Sequence, residues 1–280
     1  MNSFVKFFSK SSKQLLSFDM PMIMGVLNVT PDSFYSRSRV DPSQVVDRAG
    51  EMIDLGADII DIGGMSSRPG AEEVSLDVEL DRVLPPLEEL RRAFPNAILS
   101  IDTYRSEVVR AADKIGVDII NDISAGTKDV KMYATAAELK LIYILMHMKG
   151  SPQTMQDDTH YDDIILDTMK YMSITLAKAK EQNLHDIIID PGIGFGKAIS
   201  DNYKILKGLE SYRIFNLPIL IGLSRKSFIY KQLNSDADSA LNGTTAMHMM
   251  ALLNGANILR VHDIKEAVEV TKLYAAYNSA

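Results

Sequence analysis

The chain has 280 residues, a formal net charge of −7, 46% hydrophobic residues and no cysteine. Disulfides, thiolate catalysis and thiolate metal sites are excluded together, and the acidic balance points away from a nucleic-acid partner. The length exceeds the usual domain of ~100–150 residues but suits a single α/β barrel of ~250.

Residues 1–18 mix Phe, Val, Lys and Ser without an extended apolar core or a small-residue cleavage site. They read as an N-terminal arm, frayed or separately docked, ahead of one domain over 19–280, and not as a signal peptide. No apolar run approaches the ~20 residues that span a bilayer, so no membrane partner and a cytoplasmic location are expected.

Short apolar, β-branched runs then recur at Met22–Leu27, Ile59–Ile62, Ile98–Ile101, Ile119–Ile120, Leu141–Met146, Ile187–Ile189, Ile219–Ile221 and Ile258–Val261. Most are followed by a polar loop and a helix-period segment. Asp41-Pro42-Ser43 opens a helix through Leu55 that Gly56 stops, and longer helices are expected near Asp162–Glu181 and Ser239–Leu253. Eight such strands alternating with helices predict an α/β fold, a (β/α)8 TIM barrel. An open doubly wound sheet is the alternative that alternation alone leaves open.

In such a barrel, polar residues just past the strands converge on one mouth. Here the strands run into Asn28-Val29-Thr30-Pro31-Asp32-Ser33-Phe34, Gly63-Gly64-Met65-Ser66-Ser67-Arg68-Pro69-Gly70, Asp102-Thr103, Asn121-Asp122, Asp190 to Lys197, Gly222-Leu223-Ser224-Arg225-Lys226 and Arg260-Val261-His262-Asp263. Asp102 and Asp190 follow apolar strands, where an ionised carboxylate needs donors. Each could be a helix cap or a structural ion pair. With Asn121 between them, the set can also hold a flat heterocycle such as an aminopyrimidinone, because a carboxylate accepts two N–H groups and an amide offers both donor and acceptor. Arg68, Lys226 and Arg260, with Ser67, Ser224 and His262, form a second group suited to anions.

The glycines at 192, 194 and 196 do not match a nucleotide-binding fingerprint; they read as letting backbone approach a ligand, with Phe195 offering a ring face. Lys197 reads as structural support, with an anion contact as the alternative. The five histidines, His147, His160, His185, His248 and His262, lack ligand-like spacing, so no zinc site is expected. Magnesium held by one or two protein oxygens plus phosphates leaves little trace in sequence.

From about Met24 to Ile264 these motifs together resemble the dihydropteroate synthase family. Asn28 to Phe34, Arg68-Pro69-Gly70-Ala71, Asp190 to Lys197, Ser224-Arg225-Lys226 and Arg260-Val261-His262 stand in the family's order. Met146-His147-Met148-Lys149-Gly150 with Thr154-Met155-Gln156 is similar to its fifth loop. The resemblance implies synthesis of dihydropteroate from hydroxymethyl-dihydropterin pyrophosphate and p-aminobenzoate, with magnesium, in a homodimer formed through the last helices.

It also implies pterin contacts at Asp102, Asn121, Asp190 and Lys226, with Met146 and Gly222 lining the same mouth. Pyrophosphate would fall to Asn28, Arg68, Arg260 and His262, with Asn28 also holding magnesium, and p-aminobenzoate to Ser67, Pro69, Phe195 and Ser224. The catalytic set implied is Asp102, Lys226, Arg260 and His262, and the loop of Thr30, Asp32 and Phe34 would close over the substrates. Pyrophosphate would leave first, and the arylamine would attack a cation delocalised into the pterin.

Met65 stands where the family commonly has Glu, Ser67 where it has Thr, and Ser36-Arg37-Ser38-Arg39 where Asp-Gly-Gly is frequent. Two other readings are a methyltetrahydrofolate-binding methyltransferase and a catalytically silent pterin binder. The first needs no pyrophosphate grip such as Ser224-Arg225-Lys226 with Arg260-Val261-His262. The second has no reason to keep both carboxylates and all three cations.

Overall fold

A computed structural model describes residues 6–29, 42–65, 73–155 and 157–280. A short antiparallel hairpin, β1 (Phe7–Ser9) and β2 (Gln14–Leu16), precedes the barrel. The barrel strands are β3 (Met22–Asn28), β4 (Ile59–Gly63), β5 (Ile98–Asp102), β6 (Ile119–Asp122), β7 (Ile142–Met146), β8 (Ile187–Asp190), β9 (Leu220–Gly222) and β10 (Ile258–Val261). They pair in parallel in the order β8-β7-β6-β5-β4-β3-β10-β9, and a bridge between Ile189 and Ile219 closes the ring. All eight expected strands are present, and closure decides for the TIM barrel over the open sheet.

Helices α1 (Pro42–Asp54), α2 (Leu76–Ala93), α3 (Ser106–Ile115), α4 (Met132–Leu139), α5 (Ile164–Glu181), α6 (Ile199–Lys207), α7 (Ser227–Gln232), α8 (Leu241–Leu253) and α9 (Ile264–Ser279) are the described α-helices. The start of α5 follows its sequence closely: Asp163 caps it by accepting from the amides of Ile165 at 3.0 Å and Leu166 at 3.2 Å. Among the described residues, no helix is long and apolar enough to cross a membrane.

Side chains alternate along each strand, so every second residue points inward. The lowest inward layer is apolar and includes Met24, Ile59, Ile98, Ile119, Ile144, Ile188, Leu220 and Ile258. Two residues further along stand Val26, Asp61, Ser100, Asn121, Met146, Asp190, Gly222 and Arg260. The barrel thus changes from hydrocarbon to charge in one step of the pleat, and this step places the site.

The N-terminal arm packs against the apolar layer. Phe7, Leu16 and Phe18 are buried in the same cluster, with the Phe7 and Phe18 rings edge to face at 5.5 Å. The hairpin turn is pinned by Asp118, whose Oδ1 accepts from the amides of Ser11 and Ser12, each at 3.1 Å, while its Oδ2 accepts from Leu99 N at 3.0 Å and Arg91 Nη2 at 3.1 Å. Residues 7–18 are therefore docked into the barrel rather than frayed.

Truncating Phe7, which is fully buried, is expected to cost about 3–5 kcal/mol, whereas the outward-facing Phe8→Ala should stay within about 0.5 kcal/mol. Denaturant unfolding of both variants checks this, and equal losses would contradict the docking of Phe7 against the apolar layer.

Candidate active site

The sequence-predicted residues Asn28, Asp102, Asn121, Met146, Asp190, Gly222 and Arg260 all lie at or near the C-terminal ends of barrel strands. Phe195, Ser224, Lys226 and His262 follow in the adjoining loops. Thr30, Asp32, Phe34, Ser67, Arg68 and Pro69 lie outside the described residues, as do the departures at Ser36 to Arg39.

At the centre is an ion network. Arg260 donates from Nε to Asp61 Oδ2 and from Nη2 to Asp102 Oδ2, both at 2.7 Å. The same Asp61 oxygen accepts from Asn121 Nδ2 at 2.9 Å. Arg260, expected among anion-binding cations, is thus also the partner of two carboxylates, and its Nη1 has no hydrogen-bond acceptor among the described residues. Burial pushes the Asp102 carboxyl up to about 7 against the pull of Arg260, with Asp61 as a further raising charge.

The opposite side of the mouth carries Asp190 and Lys226. Burial raises the Asp190 carboxyl, opposed chiefly by Lys226, and lowers the Lys226 ammonium to about 8, opposed by Asp190. Asp190 Oδ1 accepts from Gly192 N at 2.7 Å. Lys226 Nζ donates to the Ile193 carbonyl and lies 4.4 Å from the Phe195 ring centroid, a cation–π contact. Ser224 Oγ accepts from His262 N at 3.3 Å, which joins the last two strand-end loops.

The glycine-rich loop after β8 serves the protein's own packing. A Cβ on Gly192 would fall 1.9 Å from the His147 carbonyl oxygen, and one on Gly194 would fall 2.8 Å from Lys226 Cδ; both residues have left-handed backbones, at φ +70° and +83°. Close approach to a ligand was the expectation, but the near neighbours are the preceding loop and a lysine of the mouth. Lys197 is buried, donating to the carbonyls of Gly192 at 2.8 Å and Phe195 at 2.9 Å and meeting His147 Nδ1 at 3.0 Å. It is a strut. Arg225 likewise turns away from the mouth, forking onto Asp263 with two 2.9 Å bonds.

Sequence reasoning missed Asp61, Glu79 and Arg105. Asp61 lies inside a strand, but an Asp within Ile-Ile-Asp-Ile was itself the signal, since a carboxylate there demands a partner. Glu79 of α2 is buried, accepting from Thr103 Oγ1 and Arg105 Nη1, each at 2.6 Å. Arg105 also reaches the Val74 carbonyl at 2.6 Å, Glu73 at 3.4 Å and Met65 Sδ at 3.9 Å. It therefore clasps residues on both sides of the second strand-end loop, including the Met that departs from the family pattern. Among the described residues no group of three His, Asp or Glu side chains is arranged to hold a metal.

This mouth defines a barrel enzyme suited to a flat, hydrogen-bonding ring beside an anion, and residues 24–262 match the model of the family described as pterin binding enzyme. The chain is 42% identical over 271 residues to a dihydropteroate synthase of Escherichia coli strain K12, covering 95% of this chain and 94% of the relative. A relative of the same name from Synechocystis is 42% identical, covering 90% and 88%. The crystal structure of a Yersinia pestis dihydropteroate synthase with a sulfonamide drug complex superposes with a TM-score of 0.93 at 37% identity, covering 99% and 100%. That of the Xanthomonas albilineans enzyme with 4-aminobenzoic acid gives 0.91 at 33%, covering 99% and 100%. The chain belongs to the dihydropteroate synthase family.

Because Glu79 has no exposed side-chain surface, Arg105→Ala strips a buried carboxylate of its ion partner. A stability loss of roughly 3–5 kcal/mol is expected from urea unfolding, and a loss below ~1 kcal/mol would tell against the clasp.

Proposed function

We infer that the protein is a transferase of folate biosynthesis that condenses 6-hydroxymethyl-7,8-dihydropterin pyrophosphate with p-aminobenzoate, giving 7,8-dihydropteroate and pyrophosphate. The observation that carries this reading is the gathering of Asp102, Asn121, Asp190, Lys226 and Arg260 at one barrel mouth, in a chain that matches named dihydropteroate synthases over nine-tenths of its length.

The pterin is read as lying across Asp102, Asn121 and Asp190. Carboxylate oxygens accept from its N–H groups, and the Asn121 amide oxygen, turned away from Asp61, is a further acceptor. Lys226 supplies a compact cation beside the ring, held over Phe195. As pyrophosphate departs, the charge that grows on it is met by Arg260 Nη1, which has no acceptor among the described residues, and by His262 and Arg68. The positive charge left on the pterin methylene is met by Asp102. The arylamine is neutral at pH 7 and attacks without a general base; Ser67, Pro69, Phe195 and Ser224 are read as its lining.

The donor set fits magnesium as an ion held mostly by pyrophosphate oxygens, with the Asn28 amide oxygen at the end of β3 as its protein ligand. When bound, the ion neutralises charge on the leaving group. A homodimer through the last helices is part of the same reading, supported by the exposed Met250 and Leu253 of α8 and Leu273 and Tyr277 of α9. A monomeric mass by light scattering would remove it. Cytoplasmic residence agrees with the cysteine-free composition.

Purified protein given the pterin pyrophosphate and magnesium is expected to release pyrophosphate only when p-aminobenzoate is present, and to yield dihydropteroate. Asp102→Asn should lower kcat by roughly 100-fold or more, the scale of one preorganised charge. Wild-type protein that binds the pterin without turnover would overturn the activity.

The two shifted groups also set a pH window. Asp102 acts as an anion and is lost as pH falls through about 7, whereas Lys226 acts as a cation and is lost as pH rises through about 8. A bell-shaped kcat/KM with a narrow maximum between those limbs is expected, and a profile flat from about pH 6 to about pH 9 would contradict the assignment.

A further inference from the structure

Asp61 belongs to none of the groups assigned above to substrate. It lies in the middle of β4, flanked by the buried Ile60 and Ile62, and is itself fully buried. Its Oδ2 is shared by two donors from different strands, Asn121 Nδ2 at 2.9 Å from β6 and Arg260 Nε at 2.7 Å from β10. An ionised carboxylate only accepts hydrogen bonds, so Asn121 meets it with its NH2, and the amide oxygen is left for whatever lies above. On Arg260 the Nε–Nη2 edge is divided between Asp61 and Asp102, which leaves Nη1 without an acceptor among the described residues.

We propose that Asp61 is the positioning residue of the site: one buried oxygen fixes the polarity of the Asn121 amide toward the pterin and the rotation of the Arg260 guanidinium toward the leaving group. The proposal rests on the transferase reading, and it assigns a role to a residue that touches neither substrate.

Two variants separate the parts of this role. Asp61→Leu removes the acceptor and frees Asn121 to turn, so KM for the pterin pyrophosphate is expected to rise roughly tenfold or more while KM for p-aminobenzoate stays within about twofold. In an Asn121→Ala background the same substitution should raise the pterin KM far less, because the group through which it acts is gone. Asp61→Asn keeps shape and oxygen but removes charge. Asp102 is faced by Arg260 from β10, Asp61 from β4, Glu79 from α2 and Asp122 from β6, and Asp61 is among the charges that raise it. The acid limb of kcat/KM should therefore move to lower pH in Asp61→Asn, a change that mere loosening of the core does not produce.

A folded Asp61→Leu with wild-type pterin KM overturns the proposal, as does full additivity with Asn121→Ala. If the Leu variant does not fold, an unmoved acid limb in Asp61→Asn overturns it. Wild-type protein assayed alongside keeps the two readings apart: without wild-type turnover the transferase reading fails, whereas wild-type turnover with unchanged variants defeats the role of Asp61 alone.

Discussion

Arg260 bridges Asp61 and Asp102 inside a barrel whose next layer down is hydrocarbon, and the chemistry of the mouth depends on that bridge. A buried carboxylate without a counter-charge would take up a proton at neutral pH, and a buried guanidinium without acceptors would not be tolerated. Arg260 opposes the burial that raises the Asp102 carboxyl, and it does so because the two are fixed within hydrogen-bond reach. The cost of gathering these charges is carried by rigid strands, since Asp61, Asp102, Asn121 and Arg260 all project from the barrel wall. The loops are left to complete the site.

The same economy appears in the supports. Lys197 ties the loop after β8 to His147, Arg225 ties the loop after β9 to Asp263, and Arg105 ties the approach to α2 to the end of β5. In each case a long cationic side chain spends its donors on backbone carbonyls or a carboxylate near the mouth. Burial lowers the Lys197 ammonium to about 7, with Asp190 and Asp201 opposing the shift, so even this strut belongs to the electrostatics of the pocket. Structural and reactive charges form one population here, separated by what each side chain reaches.

Much of this was readable from the chain. The eight barrel strands are apolar runs of the expected length, and the polar residues just beyond them gather at one mouth, because a parallel barrel delivers its strand ends to one face. What escaped depends on contacts between distant segments. The three-residue strands of the hairpin are too short to signal themselves on either side of Lys10-Ser11-Ser12-Lys13, and only the barrel floor gives Phe7 and Leu16 a reason to be apolar. Gly192 and Gly194 were read as making room for a ligand because the true neighbours, the His147 carbonyl and Lys226, are remote in sequence. Asp61 stands inside a strand and not after one, and its only signal in the chain is a lone carboxylate within an isoleucine run, which needs a partner.

The docked hairpin has a last consequence. With Phe7, Leu16 and Phe18 filling one end of the barrel, traffic is confined to a single doorway. Two molecules that must meet inside a blind chamber cannot come from opposite sides, so whichever seats deeper has to arrive before the one that covers it. The order of events in the reaction is thereby partly written into residues 7–18, which pack on the apolar layer below the mouth.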